Sequence, residues 1–136
     1  MNRRQLLKSA LALTAVPVLA PSLAHASAFV EYTPGAIQSA LAQGQTVFVD
    51  YSATWCSTCA RQERVIGALR AQNPAYDGAM TFFRVDWDTY SRHEVTTSRS
   101  IPRRSTLLVL KGDQELGRVV AGTSEEQIKS LMDLGL

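Results

Sequence analysis

The amino-acid sequence predicts an α/β fold in which a central mixed β-sheet is flanked by helices on both faces. The chain has 136 residues, 46% hydrophobic and 19% charged, a composition typical of one globular domain. Its predicted segments follow the order β-α-β-α-β-α-β-β-α, which implies parallel strand pairs joined by crossover helices. A turn at Gly112-Asp113 between two strand-like segments adds an antiparallel hairpin, so the sheet should be mixed.

Residues 1–26 have the features of a cleavable export signal. A basic start at Arg3-Arg4 precedes an apolar run from Leu6 to Leu23, which two prolines interrupt. A membrane span needs about 20 strongly apolar residues without such interruptions. We therefore expect cleavage after Ala26, which leaves a domain of residues 27–136, with an uncleaved membrane anchor as the alternative.

The stretch Arg3-Arg4-Gln5-Leu6-Leu7-Lys8 resembles a twin-arginine signal, the favoured export route, although a general secretory signal can also hold two arginines. Either route leads out of the cytoplasm, and the expected destination is a bacterial periplasm. Because that compartment is oxidising, a close cysteine pair there is a disulfide unless something reduces it. Three of the 14 basic residues lie in this signal, which leaves 11 against 12 acidic ones. Such a near-neutral body argues against nucleic-acid binding.

The first half of the domain is predicted to contain a strand, a helix and a second strand. Residues 28–32 are β-prone, and Thr33-Pro34 is typical of an N-cap followed by a first-turn proline. The helix of about ten residues that follows should end at Gly44. Residues 46–53 contain a continuous apolar stretch, which indicates a central strand covered on both faces.

A second helix should follow Cys59 and end at Asn73-Pro74. The residues expected to face the core are Ala60, Val65, Ile66 and Leu69. The residues expected to face outward are Arg61, Glu63, Arg64 and Arg70.

The second half is predicted to add three strands and the last helix. Residues 80–87 form a strand, and residues 89–99 hold a short helix. Residues 106–111 and 115–121 pair as the hairpin. Thr123 with Glu126 three residues later makes a capping box for the last helix.

Cys56 and Cys59 fall at the junction of a predicted strand end and helix start. Free backbone N–H groups and the helix dipole there favour the thiolate, which is the form of cysteine that attacks disulfides. Two intervening residues let the sulfurs meet across one helical turn, with Cys56 expected to be exposed and Cys59 deeper. The alternatives are a structural disulfide, half of a metal site with His93, and an inert buried pair.

The block from Val49 to Cys59 resembles the active-site block of the thioredoxin family, with Trp-Cys-x-x-Cys and an Asp six residues before the first Cys. The resemblance covers essentially all of residues 27–136 and implies a thioredoxin-like fold. It also implies a thiol–disulfide oxidoreductase that holds no cofactor besides the redox-active disulfide Cys56–Cys59. Cys56 would attack a partner disulfide, and Cys59 would displace the partner.

The motif resembles the reducing branch of the family, and the chain has no room for the large helical insert of the oxidising branch. The expected partners are protein disulfides and thiols, with a membrane protein as electron donor, and the expected state is a monomer. Rival functions are a periplasmic thiol oxidase or isomerase, a Cys-based metal-binding or metal-delivery protein, and a non-catalytic binding module.

The resemblance assigns Asp50 a place behind Cys59, as a buried carboxylate with a raised pKa that relays a proton. The alternative is a strand-end carboxylate that reaches solvent. Arg84 lies where family members often hold a lysine. An arginine stays charged and could hold Asp50 more firmly ionised, unless Arg84 is an ordinary surface residue.

The family places a cis-proline opposite the cysteines, just before a strand that begins with Thr. Counting back from Thr106 without gaps puts Ser105 there, whereas a three-residue insertion would put Pro102 there. We expect Ser105, with a trans peptide bond, because a non-proline cis bond costs about 3 kcal/mol. The resemblance makes Trp55, Ser105 and Thr106 the substrate-binding residues.

Arg103 and Arg104 would then flank the cysteine pair. They could favour the Cys56 thiolate or select acidic partners, and the alternative is a solvated loop.

Overall fold

The computed structural model describes residues 28–136 as one sheet with surrounding helices. The strands are β1 (Val30–Glu31), β2 (Thr46–Ser52), β3 (Met80–Asp86), β4 (Thr106–Lys111) and β5 (Gln114–Val120). The helices are α1 (Ala36–Ala42), α2 (Ser57–Gln72), α3 (Ala75–Ala79), α4 (Trp87–Tyr90), α5 (Glu94–Thr97) and α6 (Glu125–Asp133). The predicted signal in residues 1–26 lies outside the described residues.

The sheet is mixed, as predicted, with the strand order β1-β3-β2-β4-β5. Strand β3 runs parallel to β1 and β2, whereas β4 runs antiparallel to β2 and β5. All seven residues of β2 are buried, which confirms that its apolar run forms a central strand covered on both faces.

Successive side chains of β2 enter two separate cores on opposite faces of the sheet. Val49 packs in a cluster that includes Ile37 of α1. Phe48 packs in the other cluster with Ile66 of α2 and Ile128 of α6. Helices therefore cover both faces, as predicted, and every second residue from Phe48 along β2 points towards the α2 side.

Two predicted helix starts are displaced. Helix α1 is preceded not by a Thr33 side-chain cap but by Gly35, whose φ of +86° places it in the left-handed region that glycine tolerates. The capping box predicted at Thr123 begins one residue later, because the Ser124 hydroxyl accepts the hydrogen bond from the Gln127 N–H. Each of these two helix starts contains more than one residue type that favours turns or caps. The local sequence pattern therefore did not identify which of them is the N-cap.

Helix α2 ends at Gln72, as predicted. The predicted orientation of two of its residues, Ala60 towards the core and Arg70 outward, is wrong. Ala60 is exposed, because it lines an open cavity at the end of the sheet. Arg70 is buried, since it pairs with Asp77 of the unpredicted helix α3 and its guanidinium carbon lies 4.0 Å from the centroid of the Phe82 ring.

No helix within residues 28–136 has the length and apolar character needed to cross a membrane.

Candidate active site

Cys56 caps the N-terminus of α2, where β2 has just ended, and forms a disulfide with Cys59. The two Cα atoms are 5.3 Å apart. The backbone N–H of Cys59 donates a hydrogen bond to the Cys56 sulfur at 3.1 Å. The predicted junction of strand, cysteine pair and helix is therefore confirmed, and one of the free N–H groups at the helix start already points at the first sulfur.

The sulfurs are more enclosed than the sequence suggested. Cys59 is 1% exposed and lies deeper, as predicted, but the expected exposure of Cys56 is wrong, because only 4% of it is accessible. Ala53 and Trp87 pack against the pair, and the hydroxyl of Ser105 lies close to both sulfurs. A partner disulfide must therefore reach Cys56 through a narrow opening.

Ser105, rather than Pro102, lies opposite the cysteine pair. Its Oγ atom is 3.2 Å from the Cys56 sulfur and 3.1 Å from the Cys59 sulfur, whereas Pro102 is exposed. Residues 28–136 contain no cis peptide bond, so Ser105 is trans, as predicted. Its φ of +64° lies in the left-handed region that serine seldom adopts, and its N–H donates to the Tyr51 carbonyl at 2.7 Å.

Gln62 holds this loop against α2, a role that the sequence analysis did not assign. The side chain is fully buried, and Nε2 donates to the carbonyls of Ser105 at 3.0 Å and Gly122 at 2.9 Å. Gln62 lies three residues after Cys59, so both occupy the same face of the helix. That spacing is the sequence signal by which the residue could have been found.

Asp50 is fully buried, and neither of its carboxyl oxygens has a hydrogen-bond partner among the described residues. Burial raises the pKa of Asp50 well above its ordinary value, the negative charge of Glu63 raises it further, and Arg84 opposes this only in part. The alternative of a solvent-reaching carboxylate is wrong. Asp50 lies two residues after Phe48 and so shares its side of the sheet, which is the side that α2 covers.

Arg84 is engaged by two glutamates. Its Nε and Nη2 atoms bond Glu63 at 3.0 and 2.9 Å, and its Nη1 atom bonds Glu31 at 3.0 Å. The Ser52 hydroxyl donates to the same Glu63 oxygen at 3.0 Å. Arg84 lowers the pKa of Asp50, which is the predicted direction, but burial and the negative charge of Glu63 outweigh it, so the pKa of Asp50 is raised overall.

Glu63 also links this buried group to an open cavity of about 550 Å³. The charged residues that line the cavity are Glu31, Glu63, Arg84, Asp86 and Asp88. Glu63 was predicted to face outward, and its side chain is 26% exposed. A carboxylate that is close enough to Asp50 to raise its pKa and that also reaches solvent can pass a proton in either direction.

We predict that Glu63→Gln lowers the pKa of Asp50. The change removes the nearby negative charge that raises this pKa and leaves Arg84 with one carboxylate fewer to neutralise it. A titration of the Asp50 carboxyl carbon by NMR measures the effect. Glu31→Gln is the matched control, because it also removes one carboxylate from Arg84, but the charge of Glu31 affects the pKa of Asp50 less than that of Glu63 does and its removal should shift that pKa less. An unchanged or higher pKa of Asp50 in Glu63→Gln would contradict the prediction.

Trp55 is a surface residue beside the cysteines, 58% exposed, and not part of the core. Its Nε1–H donates to both carboxylate oxygens of Asp88, and the Arg104 guanidinium carbon lies 4.6 Å from the ring centroid. Thr106 is fully buried, and its hydroxyl donates to the Arg103 carbonyl at 2.7 Å. Trp55 is thus available to a partner, whereas the side chain of Thr106 shapes the loop. Their substrate-binding roles stay predictions.

His93, the third ligand of the metal alternative, caps α5 through Nδ1, which accepts a hydrogen bond from the Val95 N–H at 3.1 Å. Across residues 28–136, no three or more His, Cys, Asp and Glu side chains are grouped in a way that could hold a metal ion.

Thiol–disulfide oxidoreductases use two cysteines that can exist as a disulfide or as two thiols. Cys56 and Cys59 form such a pair, one helical turn apart, and this chain is an enzyme of that class. The family model for thioredoxin matches residues 28–134. The chain belongs to the thioredoxin family.

Relatives and solved structures agree with this assignment. The chain is 32% identical over 97 residues to thioredoxin-1 of Saccharomyces cerevisiae, an alignment that covers 71% of this chain and 87% of the yeast protein. A crystal structure of Trxlp from Edwardsiella tarda matches with a TM-score of 0.63 and 32% identity, over 74% of this chain and 96% of that one. Schistosoma mansoni thioredoxin matches with a TM-score of 0.64 and 25% identity, over 81% and 97%.

Proposed function

We propose that the protein is exported to the periplasm and reduces disulfide bonds of protein partners there through a cycle of Cys56 and Cys59. The observation that carries the proposal is the closed Cys56–Cys59 pair at the start of α2, with the buried acid Asp50 on the α2 side of the sheet. Residues 1–26 support export, because they combine a basic start, an interrupted apolar run and small residues at the expected cleavage site.

The first step of the cycle is attack by the Cys56 thiolate on a partner disulfide. The partner S–S bond breaks, a mixed disulfide forms at Cys56, and the second partner sulfur leaves as a thiolate that takes a proton from water. The Cys59 N–H, 3.1 Å from the Cys56 sulfur, and the dipole of α2 stabilise the attacking anion.

The second step is attack by Cys59 on the Cys56 sulfur. Cys59 loses its proton, the bond between Cys56 and the partner breaks, the intramolecular disulfide forms, and the partner leaves as a second thiolate. Two electrons have then passed from the dithiol to the partner. Asp50 accepts the Cys59 proton, directly or through one water, because its raised pKa makes its ionised form a stronger base than an ordinary aspartate. Glu63 carries that proton on to the cavity.

The disulfide left on the enzyme must then be reduced, and an electron donor in the membrane is the proposed source because the periplasm is kept oxidising. The redox potential of the Cys56–Cys59 couple tests the direction. A value near −270 mV, about that of thioredoxins, supports the reductase, whereas a value near −120 mV would make the protein a thiol oxidase.

Export is tested separately by cell fractionation and N-terminal sequencing of the mature protein. We expect a periplasmic protein that begins at Ser27. Replacing Arg3-Arg4 by two lysines should retain it in the cytoplasm if the twin-arginine route is used, and the unaltered chain is the control. A cytoplasmic location of the unaltered chain would contradict the proposal.

A further inference from the structure

The hydroxyl of Ser105 contacts both sulfurs of the active site. Its Oγ atom lies 3.2 Å from Cys56 Sγ and 3.1 Å from Cys59 Sγ, and the residue is fully buried. Among the described residues, Oγ makes hydrogen bonds with these two sulfurs and with no other atom. The proton of this hydroxyl therefore has no competing protein acceptor.

Three hydrogen bonds fix the backbone of Ser105, from which the hydroxyl projects. The Ser105 N–H donates to the Tyr51 carbonyl of β2 at 2.7 Å. The Ser105 carbonyl accepts from the Ala121 N–H at 2.8 Å and from Gln62 Nε2 at 3.0 Å. The left-handed φ of +64° persists because these contacts determine it. The donor is thus preorganised, which is what makes a hydrogen bond to a developing charge effective.

The strength of these contacts depends on the oxidation state of the pair. A disulfide sulfur is a weak hydrogen-bond acceptor, whereas a thiolate is charged, and charge-assisted hydrogen bonds are roughly twice as strong as neutral ones. A serine hydroxyl has one proton to donate, so it can serve one sulfur at a time. The reduced enzyme gains more from Ser105 than the oxidised enzyme does.

We infer that Ser105 is a catalytic hydrogen-bond donor that stabilises the Cys56 thiolate in the first step and the Cys59 thiolate in the second. In the free dithiol, its proton points to Cys56 Sγ as that thiolate attacks the partner disulfide. Once Cys56 is bound in the mixed disulfide and carries no charge, the hydroxyl rotates to Cys59 Sγ as that sulfur loses its proton. The inference rests on the thiol–disulfide exchange of the family and not on the direction of electron flow proposed above.

Single-thiol variants test the first half of the inference. In a Cys59→Ala background, the ultraviolet absorbance of the thiolate reports the acid dissociation constant of Cys56. Ser105→Ala should decrease that constant about tenfold, the effect of losing one charge-assisted hydrogen bond worth about 1.4 kcal/mol. The second half is tested in a Cys56→Ser background, where Ser105→Ala should also decrease the acid dissociation constant of Cys59.

The potential of the intact couple gives a second readout. If Ser105 favours the reduced state about tenfold, its removal should make the Cys56–Cys59 couple about 30 mV more reducing in equilibrium with glutathione.

Two further variants keep the result interpretable. Ser105→Gly removes the hydroxyl and relieves the left-handed backbone, so it folds even if Ser105→Ala does not. Ser100→Ala is the matched control, because Ser100 is exposed and has a similar φ of +53°. The inference is overturned if Ser105→Gly leaves both dissociation constants unchanged. A strongly oxidising wild-type potential would overturn the proposed reductase but would leave a Ser105 effect intact.

Discussion

Replacing Cys59 with alanine is expected to decrease turnover more than about a thousandfold and to leave partner proteins attached to Cys56. Attack within one molecule benefits from effective concentrations of about 10⁵ M or more, and no external thiol reaches that level. Cys59 lies one helical turn from Cys56 with its sulfur already bonded to it, so it is placed for that attack. Without it, the mixed disulfide has no internal route to release.

The measurement is mass spectrometry of adducts formed in a periplasmic extract, together with turnover of a disulfide substrate. Cys56→Ser is the matched control, which should lose both turnover and adducts. Turnover retained by Cys59→Ala, or adducts retained by Cys56→Ser, would contradict the assigned order of attack. The trapped proteins would also identify the partners.

Replacing Asp50 with asparagine is expected to stabilise the folded protein at neutral pH and to slow release of the mixed disulfide. The carboxyl group is fully buried and has no hydrogen-bond partner among the described residues. Asparagine leaves an unpaired polar group at this site but removes its charge, and a charged unpaired group costs more than the roughly 1–3 kcal/mol of a neutral one. We therefore expect a gain of about 1 kcal/mol or more in the free energy of unfolding, which urea denaturation of the oxidised protein measures.

The pH dependence provides a more specific test than the gain alone. Because the pKa of Asp50 is raised in the folded state, the native protein holds this proton over a pH range in which the unfolded chain has released it. The free energy of unfolding should therefore decrease as pH rises from about 3.9, the ordinary pKa, through the raised native pKa, and level off above it. Asp50→Asn should lose this slope, so the difference from the wild type is largest at high pH.

Asp113→Asn is the matched control, because it makes the same chemical change at an exposed hairpin turn. It should leave both the stability and the slope almost unchanged. If Asp50→Asn destabilises the protein or keeps the pH slope, the assignment of a buried carboxyl with a raised pKa is wrong. The same variant should release partners from the mixed disulfide more slowly than the wild type, because Cys59 loses its proton acceptor.

Several features of the site could be predicted from the sequence because they depend on local geometry. The apolar run of β2 indicated a buried central strand, and the spacing of Cys56 and Cys59 placed two sulfurs one turn apart at a helix start. The gap-free count from Thr106 correctly put Ser105 opposite them. The burial of Asp50 was implied by the family resemblance.

The polar surroundings of the site could not be predicted in this way. Gln62 and Glu63 were not assigned any function, although Gln62 holds the Ser105 loop and Glu63 binds Arg84 and raises the pKa of Asp50. Long polar side chains form hydrogen bonds with the groups that the fold places near them, and here the partners lie 11 or more residues away along the chain.

The sequence by itself determined the α/β fold and the thiol pair at the head of a helix, because strand period, helical spacing and backbone dipoles are properties of neighbouring residues. The tertiary structure alone decided that a serine hydroxyl contacts both sulfurs and that two glutamates bind the arginine that acts on Asp50. Those contacts arise only when the chain closes its long loops and brings separate elements together. The packing of α2 against the sheet and the Ser105 loop therefore determines the electrostatics of the site.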